Sequence, residues 1–284
     1  MTNRNIKKVT DACKMQLISN ANIKKGLTIS FVPTMGALHD GHLSLVKRAC
    51  ELGDITVVSI FVNPTQFGPK EDFNRYERDI EGDFKKLSSS NVNYVFCPDT
   101  KDIYPDGFQT YVEVSELQRP LCGLSRDGHF RGVTTVVLKL FNIVRPNIAI
   151  FGEKDYQQLK IIERMVLDLN LDIDIVGMPI YRENNGLAMS SRNAYLSENE
   201  KKCASFIHKS LTKIKDDFYK GLIATDKLIE NAKIILFEGK IEDIEYLEIR
   251  NSTSLELKSI AATGDIAAVA VKINGIRLID NLRI

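Results

Sequence analysis

This chain has almost no net charge, no cysteine pairs and no long apolar run, and each lack closes off a class of function. Lys and Arg number 38 against 37 Asp and Glu, for a formal net charge of +1. Basic residues mostly alternate with acidic ones, so no basic face is offered to nucleic acid or to an anionic membrane. The 5 cysteines (Cys13, Cys50, Cys97, Cys122 and Cys203) are odd in number, and none stand at metal-ligand spacing. That argues against a disulfide framework or a zinc site and fits a reducing compartment. No stretch approaches the ~20 apolar residues of a membrane span. Residues 1–14 are polar and carry no apolar signal core. Neither an internal repeat nor a low-complexity tract is present. The expectation is a soluble, cytoplasmic protein with no nucleic-acid or membrane partner. Histidine is scarce as well: there are 4 in 284 residues, and two of them, His39 and His42, share one turn.

What is present is enough apolar residue, 44% of the chain, to build one large core or two smaller ones. Residues 28–46 set the pattern. A β-branched run reads as a buried strand that breaks at Pro33, a loop with two glycines follows, and an amphipathic helix begins near Leu43. Residues 54–62 are near-continuously apolar, as a parallel strand buried on both faces is. They end in a loop rich in Asn, Pro and Gly that carries Gln66. Residues 72–88 read as a helix, 92–97 as a third strand and 110–114 as a short strand. Residues 121–132, rich in Gly and Arg, read as a binding loop, and 133–144 as a helix. A strand over 147–151 runs into Gly152, Glu153, Lys154 and Asp155, with a helix over 155–169 and a further strand over 172–176. This alternation predicts an α/β fold, a doubly wound parallel Rossmann-like sheet in residues 1–180. Beyond that the pattern changes. An irregular segment over 181–195 precedes helices over 198–220 and 224–238 and strands over 245–250, 266–273 and 275–284. Asn274-Gly275 is a tight-hairpin signal. Residues 181–284 therefore predict a smaller C-terminal α+β domain of helices and antiparallel sheet, closing over the ligand crevice of the first.

The His39-Asp40-Gly41-His42 turn sits where a strand hands over to a helix. A helix start presents unpaired N–H groups and the positive end of a dipole, which suits phosphate. Gly36 and Gly41 let a ligand approach the backbone, and histidines three apart share a helix face. Lys154 and Arg192 add positive charge, Ser190 and Ser191 add hydroxyls, and Asp155 suits a ribose hydroxyl. The joint placement at strand ends points to a nucleotide triphosphate.

Five motifs then resemble one family: Pro-Thr-Met-Gly-Ala-Leu-His-Asp-Gly-His, Val-Asn-Pro-Thr-Gln-Phe, Gly-His-Phe-Arg-Gly-Val, Phe-Gly-Glu-Lys-Asp-Tyr-Gln-Gln-Leu and Gly-Leu-Ala-Met-Ser-Ser-Arg-Asn. Their order and spacing are similar to those of the pantoate–β-alanine ligases, within the wider His-x-Gly-His nucleotidyltransferases. The resemblance implies a cytoplasmic homodimer that uses ATP and Mg²⁺. It would join pantoate to β-alanine in pantothenate and coenzyme A biosynthesis, through pantoyl adenylate, releasing pyrophosphate and then AMP.

The resemblance also implies residue roles. Met35, Gly36, Ala37, Leu38, His39, Asp40, Gly41 and His42 would hold ATP, together with Gly152, Glu153, Lys154, Asp155, Tyr181, Met189, Ser190, Ser191 and Arg192. His42, His39, Lys154 and Arg192 would be catalytic, with His42 the proton donor beside the phosphates. Gln66 and Gln158 would bind pantoate, Gln66 would also bind β-alanine, and Asp83 would contact Mg²⁺. Departures accompany the match. Cys122 stands where many relatives carry a glutamate, and an acidic pair is reduced to Gly82-Asp83. Tyr181 stands at a usual Val, and Asn185 at a common Asp. The rival readings are another adenylyl transferase, acting on a phosphorylated acceptor, and a non-catalytic nucleotide-binding protein.

Overall fold

The computed structural model describes residues 6–69 and 71–284; the first five residues of the polar stretch 1–14 lie outside them. Contacts divide the chain into two units. One runs up to Arg119 and includes Gly123–Glu153 and Gln158–Pro179; the other comprises Pro120–Cys122, Lys154–Gln157 and Ile180–Ile284.

The first unit holds β1 (Lys7–Val9), α1 (Ala12–Ile23), β2 (Ile29–Thr34), α2 (Asp40–Leu52), β3 (Ile55–Ile60), α3 (Ile80–Leu87), β4 (Tyr94–Phe96) and α4 (Thr100–Ile103). It continues with α5 (His129–Val144), β5 (Ile148–Gly152), α6 (Tyr156–Asp168) from Gln158 onward, and β6 (Asp174–Met178). Six strands pair in parallel in the order β1-β4-β3-β2-β5-β6. Side chains of the central strands alternate between two cores. Phe31, Val57, Ala149 and Phe151 join Val133, Val137 and Phe141 of α5 and Ile162 of α6. Val32, Val58 and Ile150 join Val46 and Ala49 of α2 and Leu87 of α3. Both sheet faces are covered, as parallel sheets require. The strand order reverses between β2 and β5, the position at which open α/β sheets place ligands, outside the carboxyl ends of the strands.

The second unit holds most of the remaining chain: α7 (Glu198–Tyr219), α8 (Thr225–Glu238), β7 (Asp243–Arg250), β8 (Ile266–Ile273) and β9 (Ile276–Arg283). The three strands form an antiparallel sheet in chain order. Ala204, Ile207, Leu211 and Ile214 of α7 and Leu228, Ala232 and Leu236 of α8 bury the helical stripe that their spacing dictates. They pack on Ala267, Val269 and Val271, which alternate along β8. A capping box opens α7: Ser197 N–H donates to Glu200 at 2.7 Å, and Glu200 N–H donates back to the Ser197 hydroxyl. Asn274 (φ 50°) and Gly275 (φ 77°) turn β8 into β9 with both residues left-handed, as a two-residue hairpin demands.

Three expectations from the sequence need correction. Residues 72–88 are not one helix: a 3-10 turn covers Asp72–Asn74, and α3 starts only after Asp79, whose carboxylate caps it by accepting from Gly82 N–H. Phe73 and Tyr76, helically spaced, instead edge onto Phe67. Residues 110–114 form no strand. Thr134 and Thr135 of α5 hold Val112, the first donating to its carbonyl and the second accepting its N–H, so hydroxyls replace a ladder. The helix expected from Val133 starts at His129. β1 and α1 were not anticipated. Two of three β1 residues are exposed, and α1 buries only Met15, Ser19 and Asn22, so neither shows a periodic apolar face.

Gly53, after α2, packs on β2. A Cβ there would lie 2.5 Å from the Ser30 hydroxyl and 2.9 Å from the Ser30 main-chain nitrogen. Gly53→Ala is expected to destabilise the chain by about 1–3 kcal/mol through overpacking, read as a lowered urea midpoint with unchanged slope.

Candidate active site

The loop after β2 is held in shape through its backbone. After β2, Gly36 (φ 85°) and Ala37 (φ 49°) are both left-handed, a costly conformation for alanine that tertiary contacts must enforce. Those contacts come from α3. The Asp83 carboxylate, 1% exposed, accepts the Leu38 N–H at 2.7 Å. Its other oxygen lies 3.0 Å from where a Cβ on Gly36 would sit. His39 then caps α2. The rings of His39 and His42 stack with centroids 4.0 Å apart, so the expected shared face is real. His39 N–H donates to His42 Nδ1 at 3.3 Å. With Nδ1 accepting, neutral His42 carries its proton on Nε2 and is a hydrogen-bond donor there. Burial raises the Asp83 pKa above its ordinary value, while the Leu38 and Ala37 amides and Lys86 pull it back.

Gln66 follows the adjacent strand β3 in a 3-10 turn, Pro64–Gln66. Its amide is fixed at both ends: Nε2 donates to Met35 Sδ at 3.1 Å, and Oε1 accepts from Asn63 at 3.1 Å. Asn63, 1% exposed, is itself satisfied, donating to the Gly132 carbonyl and accepting from Tyr104 Oη and the Thr65 hydroxyl. His129 Nδ1 donates to the Gln66 carbonyl at 2.8 Å, and its Nε2 accepts from Arg126 at 2.8 Å. Arg126 in turn pairs with Glu71 through two nitrogens, at 2.7 and 2.8 Å, which holds the Glu71 pKa below its ordinary value against its burial. A Cβ at Gly132 would come within 2.4 Å of the Thr65 carbonyl oxygen. Residues 121–132, read from sequence as a binding loop, thus include the brace of the Gln66 turn. Asn63, Arg126, His129 and Gly132 were missed as supporting residues. The spacing Arg126, His129, Gly132 at the start of a helix was the available signal. Gly152 and Glu153 close β5, and Gln158 lies half-buried in the first turn of α6.

In the second unit, Lys154, Ser190 and Arg192 line one small pocket with Arg277 and Asp280. Lys154 also approaches Asp155 at 3.8 Å. Met189 N–H donates to the Tyr181 carbonyl at 2.9 Å, and Arg182 bridges to Ala188, so residues 181–189 form a short hairpin. Arg182 clamps it to β9 by donating to both oxygens of buried Asp280, at 2.6 and 3.0 Å. The Ser190 hydroxyl caps a 3-10 turn, Ser191–Tyr195, by accepting from Arg192 N–H. Buried Cys122 accepts from Arg277 at 3.4 Å and lies 3.3 Å from Tyr246 Oη. Cys122 carries no carboxylate; the one facing Arg277 belongs to Glu245, 2.8 Å from Nε. Burial and the Cys122 neighbour push the Tyr246 phenol well above its ordinary pKa.

The sequence profile of the family described as pantoate-beta-alanine ligase matches residues 4–283. The chain belongs to that family. It is 50% identical over 275 residues to the pantothenate synthetase of a Sulfurihydrogenibium species, covering 96% of this chain and 98% of that one. It is 52% identical over 269 residues to that of Fervidobacterium nodosum, covering 95% and 96%. The crystal structure of the Thermus thermophilus pantothenate synthetase superposes with a TM-score of 0.91 at 39% identity, covering 98% and 99%. The Francisella tularensis pantoate-beta-alanine ligase, crystallised with beta-gamma ATP and beta-alanine, superposes with a TM-score of 0.81 at 35% identity, covering 98% of each chain. In this member of the family, no group of three or more His, Cys, Asp and Glu able to hold a metal ion occurs among the described residues. No helix among them is long and apolar enough to cross a membrane. Asp83, expected at Mg²⁺, lies buried beneath the loop after β2, with one carboxylate oxygen accepting the Leu38 N–H.

His42→Ala removes the Nε2–H donor together with the ring that accepts from the His39 N–H, and leaves the Asp83 anchor at Leu38 in place. Single-turnover adenylation is expected to slow by roughly 10²- to 10⁴-fold, the range for losing a proton-transferring group, with the far-UV spectrum unchanged.

Proposed function

We propose that this ligase condenses pantoate with β-alanine in two chemical steps on one nucleotide. An oxygen of the pantoate carboxylate attacks the α-phosphorus of ATP; the bond to the β-phosphate breaks, and pyrophosphate leaves with the electron pair. The β-alanine amine then attacks the acyl carbon of pantoyl adenylate. The C–O bond to AMP breaks, the amine gives up a proton, and pantothenate is released. A carboxylate is a poor acyl donor, and adenylation supplies the leaving group.

Supporting this reading most directly is the pairing, on adjacent strands, of a donor-presenting histidine turn with an amide whose orientation is locked. Charge builds on the α-phosphate and the departing pyrophosphate, so preplaced donors at a helix start are the fitting catalysts. His42 Nε2–H serves the phosphates. Residues 35–42 with Gly152 and Glu153 hold the nucleotide, and Lys154, Asp155, Tyr181, Met189, Ser190, Ser191 and Arg192 complete its binding. Lys154 and Arg192 bring positive charge to the triphosphate. Gln66 takes pantoate and β-alanine and Gln158 takes pantoate, since amides both donate to a carboxylate and accept from hydroxyls. Mg²⁺ arrives with ATP as part of the substrate, neutralising phosphate charge and keeping most of its waters. A cytoplasmic homodimer, with residues 181–284 closing over the reactants to keep water from the mixed anhydride, belongs to the same reading and rests on the family resemblance.

Isotope exchange between labelled pyrophosphate and ATP tests it. Exchange is expected to require pantoate and to proceed without β-alanine. Exchange driven by a phosphorylated acceptor, with pantoate inert, would replace this reading by the rival transferase; ATP binding without exchange would leave a nucleotide-binding protein.

A further inference from the structure

The lysine that faces Asp83 also reaches the histidine turn. Lys86 lies on the exposed side of α3, one turn after Asp83, and its ammonium donates to the Leu38 carbonyl at 2.6 Å. Asp83 takes the Leu38 N–H at 2.7 Å. Both polar main-chain atoms of Leu38 are therefore gripped by one helix, directly after the left-handed pair Gly36 and Ala37. The Leu38 carbonyl shares its peptide group with the His39 N–H, and that N–H is the donor to His42 Nδ1.

We propose that Lys86 is a positioning residue for adenylyl transfer, acting on His42 through the single peptide group between Leu38 and His39. A cation on the carbonyl oxygen polarises the peptide and strengthens its N–H as a donor, because hydrogen bonds in a chain reinforce one another. The stronger donor holds Nδ1 as the accepting nitrogen, and this keeps the proton on Nε2. Asp83 contributes the other half of the grip. Its bond to Leu38 N–H fixes the preceding peptide, between Ala37 and Leu38, while Lys86 and His42 meet opposite ends of the rigid unit between Leu38 and His39. Were Lys86 only a solvated surface charge, its ammonium would extend into water, as lysine side chains on exposed helix faces do. A 2.6 Å bond to a loop carbonyl 48 residues away in the chain is a different arrangement.

This inference rests on the ligase reading, and its test separates the two. Lys86→Met and Lys86→Arg are compared with the wild type in pantoate-dependent pyrophosphate–ATP exchange, and by ¹⁵N spectroscopy of His42. Because Lys86 is exposed, both variants are expected to fold. In Lys86→Met the maximal exchange rate is expected to fall roughly tenfold, as for losing one charge-assisted hydrogen bond. The KM for pantoate stays unchanged and the His42 Nδ1 resonance shifts; Lys86→Arg recovers most of the rate and the wild-type resonance. An unchanged rate and resonance in Lys86→Met would overturn the proposal. So would a loss confined to the KM for ATP, which would make Lys86 a simple attractor of phosphate charge. Should the wild type itself fail to exchange with pantoate, the ligase reading falls, and the Nδ1 resonance alone still decides whether Lys86 acts on His42.

Discussion

The amide of Leu38 ends on the carboxylate of Asp83, in a place that water does not reach. Taking a carboxylate out of water costs several kcal/mol unless hydrogen bonds and nearby charge offset it. Here the offset comes from the loop being held: two main-chain amides and the Lys86 ammonium favour the charged form, while burial on balance leaves the pKa above its ordinary value. The sign of the linkage follows. A raised carboxyl pKa favours folding most below the ordinary carboxylate range, and that contribution is lost as pH rises through the raised value. At neutral pH the fold therefore carries a cost at Asp83. What it obtains is a left-handed Ala37 and a fixed His39–His42 stack at the carboxyl end of β2, beside the point where strand order reverses.

The neighbouring strand repeats the strategy with neutral groups. Asn63, buried after β3, ties Gln66 to Gly132, Thr65 and Tyr104. Glu71, Arg126 and His129 form a chain that ends on the Gln66 carbonyl. His129 fits this chain only in one neutral tautomer, donating through Nδ1 and accepting through Nε2. The groups that would contact reactants are thus held in a bonded network that extends to residues outside the site, which is how a site keeps its geometry between turnovers. In the second unit the bidentate Arg182–Asp280 pair does the same for the hairpin preceding Ser190 and Arg192.

Some of this was plain from sequence, and the reason is the range of the interactions involved. β2, β3 and β5 are dense apolar runs buried on both faces, so composition alone marks them. The His39–His42 turn and the Asn274-Gly275 hairpin are local, four residues and two, and local rules found them. The stripes of α7 and α8 are long and periodic. The α1 helix buries three scattered residues and leaves no such stripe. Residues 72–88 mislead because Phe73 and Tyr76 are helically spaced, yet their partner is Phe67, outside the segment. Asp83 was singled out only through the family resemblance; its burial and its bond to Leu38, 45 residues away, leave no local mark. Gly132 needs the Thr65 backbone beside it before its lack of a Cβ means anything. Lys86 reads as one more solvated lysine until the Leu38 carbonyl is placed against it. The supporting residues of the site are tertiary facts, and sequence patterns of short range do not contain them.

In the proposed reaction, the turn anchored by Asp83 is where the triphosphate is received. A crystal structure of this chain with a non-hydrolysable ATP analogue and pantoate measures that directly. The α-phosphate is predicted to sit at the start of α2, with an oxygen within about 3 Å of His42 Nε2, and the pantoate carboxylate on the Gln66 side of it. An analogue bound away from His42, with the Gly36–His42 backbone making no contact to phosphate, would contradict the account.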